Sequence, residues 1–242
     1  MARPDPEAPR QATLTAWAGT AREWPFLPRE LHGRPLVSLG YVWVGDPVEG
    51  RRLLPALRDA ARPVAERVEA RTYVQVQSMD DDPEGSHLRR YWKGHYLRAI
   101  DDAAIEAFVS RGAGRSDDPG DQAFLPGGRL QTYGGEIGAV GQQETAFGHR
   151  DALVEFVAGA SWSDAAEDQR RISMARRYGA VMAPFASGVY VNDLADEGEA
   201  GVRRAYGADK LGRLAALKDR YDPDNVFHLN HNIRPRAGRR AS

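Results

Sequence analysis

Residues 36–44 read LVSLGYVWV and are followed by Gly45, Asp46 and Pro47. Apolar, β-branched and aromatic side chains fill all but two of those nine positions, the composition of a strand. Asp46-Pro47 then opens a helix. The aspartate accepts hydrogen bonds at the N-cap, and proline loses no needed donor at the first helical position. Leu53, Leu54, Leu57 and Ala61 give that helix one apolar stripe.

Working outward, residues 71–77 (RTYVQVQ) alternate as a half-buried strand. Asp80-Asp81-Asp82-Pro83-Glu84-Gly85 is a turn, and residues 88–97 (LRRYWKGHYL) read as a third strand. Asp101 caps a helix through Ile105, Phe108 and Val109 that ends at Gly112. Beyond a loop at 112–128, residues 129–140 and 152–160 read as two more strands. Ser163 or Asp164 opens a helix toward Tyr178. A last helix spans 209–221, with Leu211, Leu214, Leu217 and Tyr221 facing inward, and Asp222-Pro223 stops it.

This order predicts an α+β fold, an antiparallel β-sheet with helices packed on one face. Residues 36–185 form its body and 186–235 a C-terminal element, with a basic tail at 236–242. Residues 1–35 lack periodicity and read as an irregular leading segment. Its Trp17, Trp24 and Phe26 are either clamped onto the core or the remains of a connection to something else.

Composition narrows the chemistry. The chain has 242 residues, 33 Lys plus Arg, 34 Asp plus Glu and a net charge of −1. That balance gives no global pull toward nucleic acid or an anionic membrane. No apolar run approaches the ~18–20 residues of a membrane-spanning helix, and the N-terminus lacks the apolar stretch of a signal peptide, so cytoplasmic residence is expected. The absence of cysteine excludes disulfides, thiol catalysis and cysteinyl cofactor links. The six histidines show no helical metal-ligand spacing, and no metal site is expected. The glycine-rich run 134–141 opens no helix, so it is no dinucleotide-binding loop.

The C-terminal quarter carries the sharpest signal. It reads Gly188-Val-Tyr190-Val-Asn192, Ala205-Tyr206-Gly207, then Arg213-Leu214, Leu217-Lys218, Tyr221-Asp222-Pro223-x-Asn225-Val-Phe227 and Asn230-His231-Asn232-Ile233-x-Pro235. This ordered series resembles the C-terminal signature of the berberine bridge enzyme-like FAD-linked oxidoreductases of the vanillyl-alcohol oxidase superfamily. Upstream, Tyr73-x-x-x-Gln77, Tyr91-x-Lys93, Tyr133-Gly134-Gly135, Thr145-Ala146-Phe147-x-His149-Arg150 and Trp162 follow in the family's order.

The resemblance implies the substrate-binding half of such an enzyme. The cofactor would be FAD, bound mainly by a missing half or a partner subunit, and this chain alone would be inactive as an oxidase. The reaction implied is hydride transfer from an alcohol, sugar or natural-product carbon to the flavin, then reoxidation by O₂. The expected partners are an FAD-binding domain or subunit and a small-molecule substrate. A second reading is a cofactor-free binding or cyclase-like protein that retained the pocket and lost redox chemistry.

Residue roles follow from the same resemblance. Tyr190 falls on the family's flavin-facing tyrosine; read by itself it is a core tyrosine bonded through its hydroxyl. Asn192, Asn230 and Asn232 fall where the family approaches the flavin ring; alone they read as loop caps. The usual aromatic after the first of these is here Asp193. A family base on the strand after His149-Arg150 falls on Val157, which cannot take a proton. Glu155, two residues away and on the same strand face, is a candidate substitute or a solvated strand glutamate. Gln75, Gln77, Tyr91 and Lys93 lie on predicted strands and would line a substrate pocket if that sheet face looks at the flavin. His149-Arg150 is expected to close a strand-to-strand corner.

Overall fold

The computed structural model describes residues 9–79, 81, 87–113 and 123–236. Residues 1–8, most of the aspartate turn, part of the 112–128 loop and nearly all of the basic tail lie outside the described residues. Six strands form one antiparallel sheet: β1 (Ala12–Thr20), β2 (Pro35–Trp43), β3 (Arg89–Leu97), β4 (Gly127–Thr132), β5 (Val154–Trp162) and β6 (Ala186–Gly188). Their spatial order is β2-β1-β4-β5-β3-β6.

The segment expected to be irregular therefore contains β1, which sits between β2 and β4. Its Leu14 and Trp17 are set among Ala, Thr and Gly and show no strong apolar alternation. Pairing with a neighbour on each side fixes it as a strand. Beyond β1, the edge of Trp17 meets Trp24 and Trp24 stacks on Phe26, so these aromatics are clamped within the chain.

Helices cover one face of this sheet. The helix after β2 starts as expected, Asp46 accepting from the Val48 amide at 2.9 Å; α1 (Pro47–Gly50) leads through a 3₁₀ turn into α2 (Leu54–Ala61). Residues 71–77 are not a strand. Tyr73–Gln77 is a short helix, α3, closed by a capping box in which the Thr72 and Gln75 side chains each accept from the other's backbone amide. A capping box satisfies two orphan donors locally, and among the described residues none of the six strands pairs with this segment. Gln75 and Gln77 are consequently exposed on α3.

Asp101 caps α4 (Asp102–Ser110) through the Ala104 amide. The predicted strand 129–140 stops at Thr132. Gly135 takes φ +51°, a left-handed conformation that glycine adopts freely, and α5 (Glu136–Ala139) is a single turn. α6 (Asp168–Met182) follows β5. Leu97, Phe108, Leu130, Phe156, Tyr178 and Met182 fill the layer between the sheet, α4 and α6. The Tyr178 hydroxyl donates to the Phe108 carbonyl at 2.5 Å, tying α6 to α4.

The final helix, α7 (Gly198–Tyr221), starts earlier than 209 and breaks at Gly207, where φ is +70°. Its buried positions are Gly201, Val202, Ala205, Lys210 and Ala215, with Leu211 and Leu214 half-buried. Leu217 and Tyr221, expected inside, are 53% and 70% exposed. Neither joins the cluster that Leu211 does, of Val189, Leu194, Val202 and Ala205, because the buried stripe is offset around the helix.

Candidate active site

Strand alternation sorts β3 into two faces. Tyr91 packs with Trp162 and Ala175, His95 hydrogen-bonds the Gly179 carbonyl at 2.8 Å, and a Cβ on Gly179 would strike Lys93. These residues face α6. Trp92, Gly94 and Tyr96 face the other way. The register aligns Trp17, Arg129, Val157 and Gly94 in one row across β1, β4, β5 and β3. Gln131, Glu155 and Tyr96 form the next row on one side, and Gly127, Gly159 and Trp92 on the other.

A cleft of ≈ 680 Å³ lies over this second face. Gly127, Val157 and Gly159 form its floor, and Trp17 and Trp92 rise at opposite ends. Three strand spacings separate the indoles' strands, roughly 14 Å. The indoles need the glycines: a Cβ on Gly159 would lie 3.2 Å from Trp92, and one on Gly127 3.2 Å from Trp17. Arg129 and Asp193 border the floor, and Arg22 lines the cleft as well. Arg111, also at the rim, is committed to the Pro126 and Leu125 carbonyls and the Thr20 hydroxyl.

Behind Arg129 lies a buried proton network. Glu155 is 4% exposed; it accepts from the Tyr133 hydroxyl at 2.8 Å and from Arg129 at 3.1 Å. Asp193 reaches this network from the 3₁₀ turn Val191–Asp193 by packing across Gly94, where a Cβ would fall 2.6 Å from its own Cβ. Burial, and next the Glu155 charge, push the Asp193 carboxyl up to about 7, against the opposing pull of Arg129. Burial, followed by Tyr133 in the case of Tyr96 and by the Glu155 charge in the case of Tyr133, also raises both phenols and keeps them protonated.

Of the sequence-predicted residues, Glu155 enters this network and shares its face with Val157 as expected. Tyr190 does not line the cleft. Its ring packs beside Phe147, and its hydroxyl accepts from the Asn192 amide at 2.8 Å. Asn192 and Asn230 are exposed. The Asn232 Oδ1 is buried without a hydrogen-bond partner among the described residues. His231 bonds the Leu194 carbonyl at 3.0 Å, bringing the 230–232 segment beside the turn that holds Asn192.

Tyr91 and Lys93 do not face the cleft, because their strand positions point at α6. There the Tyr91 hydroxyl donates to Asp196 at 2.9 Å and Lys93 pairs with Glu197 at 2.7 Å. Gln75 and Gln77 are on α3 and do not line the cleft either. His149, at φ +55°, turns the chain before β5 and packs beside Tyr96. Sequence reasoning missed Trp17, Trp92, Arg129 and Asp193 as cleft residues. For Asp193 the signal was present, a charge where the resemblance expects an aromatic ring.

Comparison with known proteins places the chain. Residues 189–234 match the family model described as berberine and berberine like. The uncharacterized FAD-linked oxidoreductase YvdP of Bacillus subtilis (strain 168) is 32% identical over 103 residues, 43% of this chain and 23% of that protein. YgaK of the same organism, likewise described as an uncharacterized FAD-linked oxidoreductase, is 25% identical over 217 residues, 87% of this chain and 45% of that one. The structure of BBE-like #28 from Arabidopsis thaliana superposes with a TM-score of 0.70 at 18% identity, covering 94% of this chain and 51% of that chain. The chain thus spans less than half the length of the curated relatives it matches. It carries the berberine-like C-terminal element and the fold of the berberine bridge enzyme-like oxidoreductases.

Proposed function

We propose that this chain, a relative of FAD-linked oxidoreductases of the berberine bridge enzyme type, supplies the substrate-facing wall of such an enzyme. The observation that carries the reading is the open sheet face: a cleft floored by glycine, flanked by two indoles, and closed on one side by a carboxyl group tuned near neutrality. A cleft of ≈ 680 Å³ suits a small organic molecule. FAD held by another domain or subunit would supply the hydride-acceptor chemistry that this chain lacks.

The residues present fit the ring end of a flavin. Asn192, Asn230 and the unpartnered Asn232 Oδ1 offer amide donors and acceptors, matching a ring edge that itself donates and accepts. Next to them Val226, Phe227 and Leu229 are 68%, 82% and 81% exposed. An apolar ridge of that kind suits a surface that another domain covers. The chain's own part is to hold the substrate against the floor between Trp17 and Trp92 and to receive its hydroxyl proton.

Co-expression of this chain with an FAD-binding half tests the reading. Expected are a flavin absorbance band retained through desalting and its anaerobic bleaching by a member of an alcohol panel. A colourless product, or tight FAD retention by this chain alone, refutes the division of labour. One observation favours a cofactor-free binder instead: Val157, unable to take a proton, lies on the cleft floor where the resemblance places a base. Substrate binding by the chain without any flavin reduction in the co-expressed pair would establish that reading.

A further inference from the structure

Two carboxyl groups meet where the sequence resemblance provides neither. Glu155 faces away from the helices on β5, and Asp193 reaches it from the turn after β6. The groups facing them are few. Arg129 comes from β4, Tyr133 from the segment after it, and Tyr96 from β3, with His149 beside the Tyr96 ring. Gln131 of β4 is the register partner of Glu155. The wholly buried Tyr96 hydroxyl ends beside Tyr133 and makes no hydrogen bond of normal geometry among the described residues.

Two carboxylates brought together across Gly94, with one half-exposed guanidinium held on Glu155, cannot both ionise cheaply, so the pair retains one proton. The hydrogen bonds decide where it resides. Glu155 accepts from both Tyr133 and Arg129, which stabilises its charge. Among the described residues Asp193 has no such pair of donors, and it takes the proton. It is also the member of the pair that lines the cleft. Its place is built in: the Asp193 amide bonds the Tyr190 carbonyl at 3.0 Å, and only glycine at 94 leaves room for its side chain.

We propose that Asp193, with Glu155 behind it as positioning residue, is an acid–base site of the cleft that exchanges a proton with a hydroxyl-bearing ligand, an alcohol or phenol, resting on the Gly127–Gly159 floor. The step is a plain proton transfer. When the pair is fully ionised, the ligand O–H bond breaks, its electron pair stays on the ligand oxygen and an O–H bond forms on the Asp193 carboxylate; from the singly protonated pair Asp193 returns the proton to the ligand oxygen by the reverse transfer. A group balanced near neutrality serves in both directions. That the ligand is an oxidation substrate rests on the function proposed above; the shared proton does not.

The test is a carboxyl-carbon NMR titration of the 242-residue chain, which needs no flavin. In the unmodified chain Asp193 is expected to titrate near neutral pH. In Glu155→Gln its midpoint should fall by about one pH unit or more, a tenfold loss of proton affinity. If Glu155→Gln does not fold, the unmodified chain still decides, because the Asp193 midpoint is read in it directly. The probe 4-hydroxybenzyl alcohol should shift the Trp92 indole resonance, with a pH dependence that Asp193→Asn abolishes. An ordinary carboxylate midpoint for Asp193, an unchanged midpoint in Glu155→Gln, or pH-independent probe binding overturns the proposal. Failure of the flavin co-expression with a normal pair titration would instead remove the oxidoreductase reading alone.

Discussion

Replacing Asp193 by Asn should stabilise this protein at alkaline pH and leave it unchanged in acid. The Asp193 carboxyl is pushed up to about 7 in the folded chain, against 3.8 ordinarily. The folded state therefore binds this proton more tightly than the unfolded chain does. Stability from the group is fully present below pH ~4 and is lost as pH rises through 7. At about 1.4 kcal/mol per pH unit of difference, the ionised group costs about 4 kcal/mol above pH 7. Asparagine has the shape of the protonated acid and never ionises. Urea unfolding of Asp193→Asn should match the unmodified chain within about 0.5 kcal/mol at pH 3. At pH 8.5 the variant should be more stable by about 2–4 kcal/mol, or roughly 5–15 °C in Tm. Buried His95 adds an acid-side trend of its own, but it is common to both proteins and cancels in the difference. A pH-independent difference, or a variant less stable at pH 8.5, would refute the account of Asp193 as a half-buried group facing Glu155.

Three further outcomes follow from packing and burial. Phe108→Ala, which empties a fully buried site between Phe156 and Tyr178, should lower unfolding free energy by about 3–5 kcal/mol in urea. Gly128→Ala would place a Cβ 2.1 Å from the Tyr178 hydroxyl and should cost about 1–3 kcal/mol by overpacking; hydrogen exchange should show α6 loosened against α4. Burial holds His95 below its ordinary value, so the unfolded chain binds that proton first. Stability carried by neutral His95 is present above pH ~6.5 and is lost as pH falls below it; a Tm series from pH 7 to 5 should show a decline that His95→Gln flattens.

The sequence by itself determined the elements whose signals are local. Residues 36–44 and 88–97 carry enough β-branched and aromatic side chains to read as strands, and β2 and β3 lie within a residue of those bounds. Asp46, Asp101 and Asp164 each cap as their side-chain chemistry dictates. The antiparallel α+β class followed from the order of those elements. The C-terminal motif series pointed to the berberine-like element that residues 189–234 match.

Only the tertiary structure decided the rest. β1 is a strand because β2 and β4 flank it, while α3 is a helix closed by the mutual cap of Thr72 and Gln75, paired with none of the described strands. The face that Tyr91 and Lys93 present depended on where α6 docks, which alternation alone leaves open by one residue. Asp193 and Glu155 meet because β6 pairs with β3, turning the next residues over Gly94 toward β5. A charge's proton affinity depends on what surrounds it in space, and those neighbours come from four separate stretches of chain.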